Sequence, residues 1–476
     1  MKRLPPLWIA CVPLVFLVAL IACVVAVFGD ETLSGASQIA LLTATALCVS
    51  LGLWKRQLTW DDFEDVVRSR VGDIAVAMLI LLLIGGLAGS WMVGGIVPTF
   101  IYYGLELLSP RWFLVSACII SAIVSVVIGS SWTTIATIGV ALMGVGMALG
   151  MPTGWSAGAI ISGAYFGDKV SPLSDTTVLA SSVAGTPLFT HIRYMMYTTV
   201  PTFLLTLLIF GVKGIGMEAA DMAQVIDVQE ALAATFQISP WLLLVPLCTL
   251  TMILLRLPST AVIFFSILLG AAMGLLVQGH LLDEISPEGA TMLERRFRAT
   301  LIAVYGSTHL HTGSSTLDSL ISTNGMAGMM DTVWLIICAT VFGAAMTATG
   351  MVESIVQHVL RFVRGTVSLV AGTALTGIFL NVVCADQFLS IVLSCNMFQR
   401  LYQEGGYEPR LESRTVEDSA TVTSVLIPWN TCGMTQSRVL GVSTFLYAPY
   451  CFFCYLSPLM TIHMAATGFR IYRHKE

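Results

Sequence analysis

The chain has 476 residues, 56% hydrophobic and only 11% charged, whereas an average soluble domain is roughly a quarter charged. A formal net charge of -5 with no basic stripe argues against a nucleic-acid partner, and no HExxH or P-loop pattern supports metal hydrolysis or nucleotide use. What remains is an all-α polytopic membrane protein, with room for about twelve to fourteen spans of about 20 residues and little left for a soluble domain.

Lys2 and Arg3 precede an apolar run over 7–28 that is too long for a signal-peptide core and lacks a small-residue cleavage site, so it is retained as the first span. A second span covers 36–54. Beyond it, Trp60, Phe63 and Val67 alternate with acids and bases at helical spacing, which predicts an amphipathic segment on the membrane surface. Residues 1–70 form this leading unit. Lys2, Arg3, Lys55, Arg56, Arg68 and Arg70, with the tail Arg470, Arg473, His474 and Lys475, place those loops in the cytoplasm. Arg295, Arg296 and Arg298 fall in a loop that counting places outside.

Residues 71–215 and 331–476 repeat a pattern, with linker loops and connecting spans near 239–255 and 258–279 filling 216–330. Asp73 opens an apolar run leading to Gly85-Gly86, as Asp331 does toward Gly343. Ser109 precedes Ser130 by the same interval as Gly365 precedes Asp386, and the polar cluster 167–171 recurs at 417–421. With about five crossings each, the halves have opposite orientation. Such inverted-topology repeats place sites near the midplane, where broken helices and re-entrant hairpins meet. Glycines from Gly146 to Gly167, several in GxxxG steps, predict close helix packing.

The breaks carry the polar residues: Ser130, Ser131 and Thr133 in the first, Asp168, Ser171, Ser174, Asp175 and Thr176 around Pro172, Asn381 to Gln387 in the third, Asn430 and Thr431 in the fourth. A sodium site needs several oxygen ligands including a carboxylate. Asp175 and Asp386 are the leading cation and proton ligands, each also readable as a helix cap. Burial of a carboxylate favours its protonated form, so proton and cation compete for the same oxygens. Asp168 reads equally as a ligand or as the local partner of Lys169. Glu417 and Asp418 read as ligands or as an acidic pair at a helix start, favoured by the dipole. Asp73 and Asp331 read as caps, and Glu106 as either cap or ligand. His309 and His311 read as loop residues. Arg438 reads as snorkelling to an interface, with pairing to an organic carboxylate as the alternative. The 11 cysteines, including Cys451 and Cys454, read as small buried hydrophobes.

The runs 167–177, 188–193 and 417–433 together resemble the NhaC family of bacterial sodium/proton antiporters, within the ion-transporter superfamily, over nearly everything from residue 30 onward. Val178, Pro187 and the polar run 434–438 depart from the pattern. The resemblance implies a multi-pass protein of the bacterial inner (cytoplasmic) membrane that exchanges sodium for protons, with no cofactor beyond the transported ions. Some relatives couple sodium and protons to organic acids or amino acids, so a small organic anion or amino acid is the alternative solute. A homodimer is implied only by analogy with related folds.

Overall fold

The computed structural model describes residues 4–28, 35–55, 58–216, 222–286, 291–308, 318 and 321–473. Lys2, Arg3, Arg56, His309, His311, His474 and Lys475 lie outside the described residues. Among the described residues the fold is helical, with no β-strand and two isolated bridges, Thr308 with Thr323 and Tyr407 with Arg473.

Helices α1 (Leu7–Phe28) and α2 (Ala36–Trp54) have the bounds expected from their apolar runs. The next segment differs from expectation. A capping box between Thr59 and Asp62 starts α3 (Trp60–Val93), which runs 34 residues without interruption. At about 1.5 Å per residue it is about 51 Å long, far more than the roughly 30 Å hydrocarbon core. The stretch expected to lie on the surface is therefore the projecting first turns of a span, laced by pairs from Arg68 to Glu64 and Asp65. Asp73 caps nothing, since it sits inside this helix and pairs with Arg70 at 3.6 Å.

Gly95 in the left-handed conformation folds the chain back into α4 (Ile96–Leu107). Then come α5 (Phe113–Ile128), α6 (Ser131–Thr134) continuing through a π turn over Ile135–Gly139 into α7 (Val140–Ala148), α8 (Thr153–Val170), α9 (Asp175–Val183) and α10 (Leu188–Ile215). The close helix packing expected from the glycines is present between α5 and α8, where a Cβ on Gly163 would collide with the Cys118 carbonyl. The connecting region holds α11 (Met222–Thr235), α12 (Leu244–Leu254), α13 (Ser259–Val277), α14 (Gly279–Ile285) and α15 (Met292–Tyr305). The Arg296 guanidinium grips Asp283 there, with Nη2 at 2.8 Å.

The second half comprises α16 (Met330–Ala348), α17 (Met351–Leu360), α18 (Thr366–Cys384), α19 (Gln387–Glu404), α20 (Pro409–Val416) running into a π turn over Glu417–Thr421, α21 (Thr431–Leu440), α22 (Thr444–Tyr447) and α23 (Phe452–Thr467). Prolines set several starts: Pro152, Pro187 and Pro258 stand at N-caps, and Pro110, Pro240 and Pro409 in first turns, where the missing N–H costs nothing.

Nine described helices are long and apolar enough to cross a membrane, or eleven if two bent pairs each count as one span. That is fewer than the twelve to fourteen expected, because apolar stretches such as α4, with 12 residues, are half-length arms. One core cluster packs α3 to α8 around Phe113, Ile160 and Tyr165. A second joins α1 and α2 to the second half, with Leu41 and Cys48 beside Phe342 and Met351.

Several backbone features stand at matching intervals along the chain. Gly95 and Gly350, both left-handed, turn α3 into α4 and α16 into α17. Gly129 and Ala385, also left-handed, end α5 and α18, and the next residues, Ser130 and Asp386, cap the following helices. Ser174 and Asn430 cap α9 and α21 and stand as far beyond Ser130 and Asp386, respectively, as each other. This register differs by a few residues from one pairing 167–171 with 417–421. Helix ends follow caps, and the acids of the two clusters occupy different places relative to them.

Candidate functional site

The two first-half breaks are locked together before any ion is considered. A Cβ on Gly129 (φ 73°) would lie 2.6 Å from the Leu173 Cβ, so the absence of a side chain lets the end of α5 touch the Pro172-Leu173 turn. Ser131 donates to Asp168 Oδ2 twice, from its backbone N–H at 3.0 Å and its hydroxyl at 2.7 Å. Ser171 donates to the Val126 carbonyl at 2.7 Å. The second-half breaks are tied in the same manner. The Thr431 N–H donates to the Ala385 carbonyl at 2.9 Å, Asn430 Nδ2 to the Asn381 carbonyl at 3.1 Å, and Asn381 Nδ2 to the Ala420 carbonyl at 2.6 Å.

Between the locked breaks lies a cavity of about 610 Å³. Its walls carry Asp168, Asp175, Asp386, Ser130, Thr133, Thr176 and Thr431, together with Arg70, Asp73 and Thr340. Half of the expected ligands thus share one chamber, drawn from both halves of the chain. Asp168 is 6% exposed, Asp386 half-buried and Asp175 exposed. Asp386 also acts as the cap it was alternatively read to be, accepting from the Leu389 N–H at 2.8 Å. Four carboxylates against one guanidinium make the chamber strongly cation-attracting.

The other expected residues stand behind the wall. Glu417 is fully buried and accepts from the Thr176 hydroxyl at 3.2 Å, while its Oε2 has no partner among the described residues. Ser174 bonds Thr176 at 3.0 Å, and Ser131 supports Asp168. Asn381, Asn430 and Ser171 hold backbone.

Asp418 belongs to a separate buried ionic core, and its partner corrects the expected local pair. Lys169 Nζ donates to Asp418 Oδ1 and to Ser457 Oγ, and Asp168 faces away toward Ser131. Adjacent helix residues do not face each other. Thr198 donates to the same carboxylate at 3.1 Å, and Arg414, stacked 4.5 Å from the Tyr194 ring centre, approaches its other oxygen at 3.9 Å. Lys169, Arg414, Glu417 and Asp418 all have no exposure. Nor do the two acids stand at a helix start, since α20 runs on into their π turn.

Sequence reasoning missed Thr340, whose buried hydroxyl lines the cavity with no partner among the described residues. Nothing in its apolar surroundings marks it. Arg70, expected in a loop, and Asp73, expected to open a span, both stand inside α3, which begins at Trp60.

A second cavity of about 660 Å³ lies end to end with the first. Along α3 the lining passes from Ile80 in the first to Ile84 in the second, and along α21 from Thr431 to Met434. One helical turn separates them on α3, about 6 Å. The partition contains Leu81, Ile336, Cys432 and the π turn at Ile135–Gly139, all well packed.

Residues 163–469 match the model of the Na+/H+ antiporter family. The chain is also 34% identical over 431 residues to the Na(+)/H(+) antiporter NhaC of Alkalihalophilus pseudofirmus, spanning 90% of each. The chain belongs to the Na+/H+ antiporter family. Other relatives of this antiporter family member carry different substrates in their names. It is 32% identical over 433 residues to the malate-2H(+)/Na(+)-lactate antiporter of Bacillus subtilis, covering 90% of this chain and 89% of that one. It is 31% identical over 475 residues to the arginine/ornithine antiporter ArcD of Halobacterium salinarum, covering 99% and 94%.

Proposed function

We propose that this protein is a secondary active antiporter that exchanges sodium ions for protons across the bacterial cytoplasmic membrane by alternating access. The observation that carries this reading is the convergence of Asp168, Asp175 and Asp386, from breaks in both halves, on one cavity with the hydroxyls of Ser130, Thr133, Thr176 and Thr431. Carboxylate and hydroxyl oxygens suit a hard cation. The same carboxylates take a proton when the cation leaves, so one chamber serves both ions in turn.

The cavity is lined by the part of α3 that follows Lys55 and Arg68 and includes Arg70. The positive-inside rule therefore turns it toward the cytoplasm. The partition then closes the outer route, and exchange requires it to shift so that the same oxygens face the second cavity. Breaks tied in pairs by hydrogen bonds suit movement as units.

The test is sodium-driven proton movement in everted vesicles containing the parent, Asp175→Asn or Asp386→Asn. We expect both variants to fall to a small fraction of parental exchange. Normal exchange in both removes these carboxylates from the site, and a parent that moves protons only when an organic solute is added transfers the protein to the organic-acid or amino-acid carriers.

A further inference from the structure

We infer that the second cavity is a binding site for a small organic carboxylate, anchored by Arg438. Arg438 lies in α21, just beyond the fourth break, and lines this cavity with Ser437, Ser443, Asn324 and Thr153. Its Nε donates to the Gly328 carbonyl at 2.5 Å, which fixes the guanidinium plane. Among the described residues it makes no ion pair and no other hydrogen bond. Asp331 also lines the cavity, from the exposed start of α16, and does not pair with it.

An unneutralised charge within a membrane protein marks a function, and it needs a partner. Snorkelling, the reading expected for this residue, does not describe a side chain half-buried, tethered to a neighbouring helix and facing an internal chamber. A guanidinium fixed at one nitrogen offers its remaining N–H groups as a fork that matches a carboxylate. It repels a bare sodium ion, so this chamber is not a second copy of the cation site. At about 660 Å³, with apolar wall residues such as Met92, Val97 and Leu335 beside polar ones such as Asn324, Ser437 and Ser443, it has the size of a small-molecule pocket and the mixed lining that a polar organic ligand needs. The inference concerns residues other than the proposed cation ligands, in the chamber that the proposed exchange uses as its outer route, and binding measured without an ion gradient tests it separately from exchange.

The test is equilibrium binding to the purified full chain in lipid nanodiscs, with no ion gradient and at fixed sodium concentration. The probes are L-lactate, L-malate and L-arginine, with lactamide as the uncharged match to lactate. We expect saturable binding of at least one carboxylate and none of lactamide, with hydroxy acids separated from amino acids by which probe binds. Arg438→Gln should weaken it about tenfold or more, as loss of a charged hydrogen-bonding partner does, and Arg438→Lys should recover part. Ala88→Trp, which adds bulk to the chamber from α3 and leaves Arg438 in place, should also abolish it and serves if Arg438→Gln does not fold. Absence of binding by all three probes, or affinity unchanged in Arg438→Gln or in Ala88→Trp, overturns the inference.

Discussion

Lys169 and Asp418, 249 positions apart in the chain, form a fully buried ion pair that joins the end of α8 to the π turn after α20. A pair so placed contributes through what happens when one member is lost. Removing either partner leaves an unmatched charge in a dry interior, at a cost of roughly 3–5 kcal/mol, whereas replacing both by apolar groups is close to neutral. Lys169→Met alone should therefore sharply lower the unfolding temperature in detergent, and Lys169→Met with Asp418→Leu should recover most of it. A double variant no more stable than the single would show that Arg414 and Thr198, not the pair, dominate this core.

Thr340 supplies a wall oxygen of the first cavity that the sequence did not suggest. Thr340→Val keeps the shape and deletes the hydroxyl. If that oxygen coordinates the ion, loss of about 1 kcal/mol of binding should raise the half-saturating sodium concentration several-fold and leave the maximal exchange rate unchanged. Unaltered sodium dependence would leave Thr340 a wall residue only.

Gly129 permits the contact between two breaks. Gly129→Ala puts a Cβ both at positive φ and against Leu173, a backbone cost of about 1–3 kcal/mol. We expect lower thermal stability together with reduced exchange, because the Ser130 and Ser131 positions depend on that approach. Gly150, also at positive φ but with open space around it, is the control: Gly150→Ala should lose stability and keep exchange. Equal exchange in the two variants would separate the contact from transport.

Outside the spans, the Arg296 hydrogen bond holds the Asp283 carboxyl below its usual range. A depressed value in the folded state means the pair stabilises above the unfolded carboxylate value, about 3.9, and this contribution is lost as pH falls through the folded value. Melting temperature measured across the acid range should fall more steeply for the parent than for Asp283→Asn. Parallel curves would assign the acid limb to other groups.

Much of the architecture was legible because it follows from local chemistry. Apolar length set α1 and α2, and hydroxyl-rich clusters with Pro172 and Pro428 marked the breaks. The errors have local causes too. No proline separates Trp60 from Val93, and the switch from charged to apolar residues divided in the reading what is one continuous helix. Proximity in sequence suggested a pair between Asp168 and Lys169, but successive residues project to different sides of α8, and the true partner of Lys169 comes from the other half. Thr340 has no polar neighbours to betray it. Convergence on a chamber is a property of tertiary packing, which no local run of residues specifies.

The thinness of the partition has an electrical consequence. Chambers lined partly by polar side chains abut it on both faces, so under the proposed exchange bulk potential extends inward from each side and the membrane voltage falls mainly across about one helical turn of packed side chains. A unit charge carried over that short distance does work of about 2.3 kcal/mol per 100 mV. Any inequality between charges moved outward and inward would therefore be felt almost in full at this narrow layer, making the resting voltage a direct drive on the cycle.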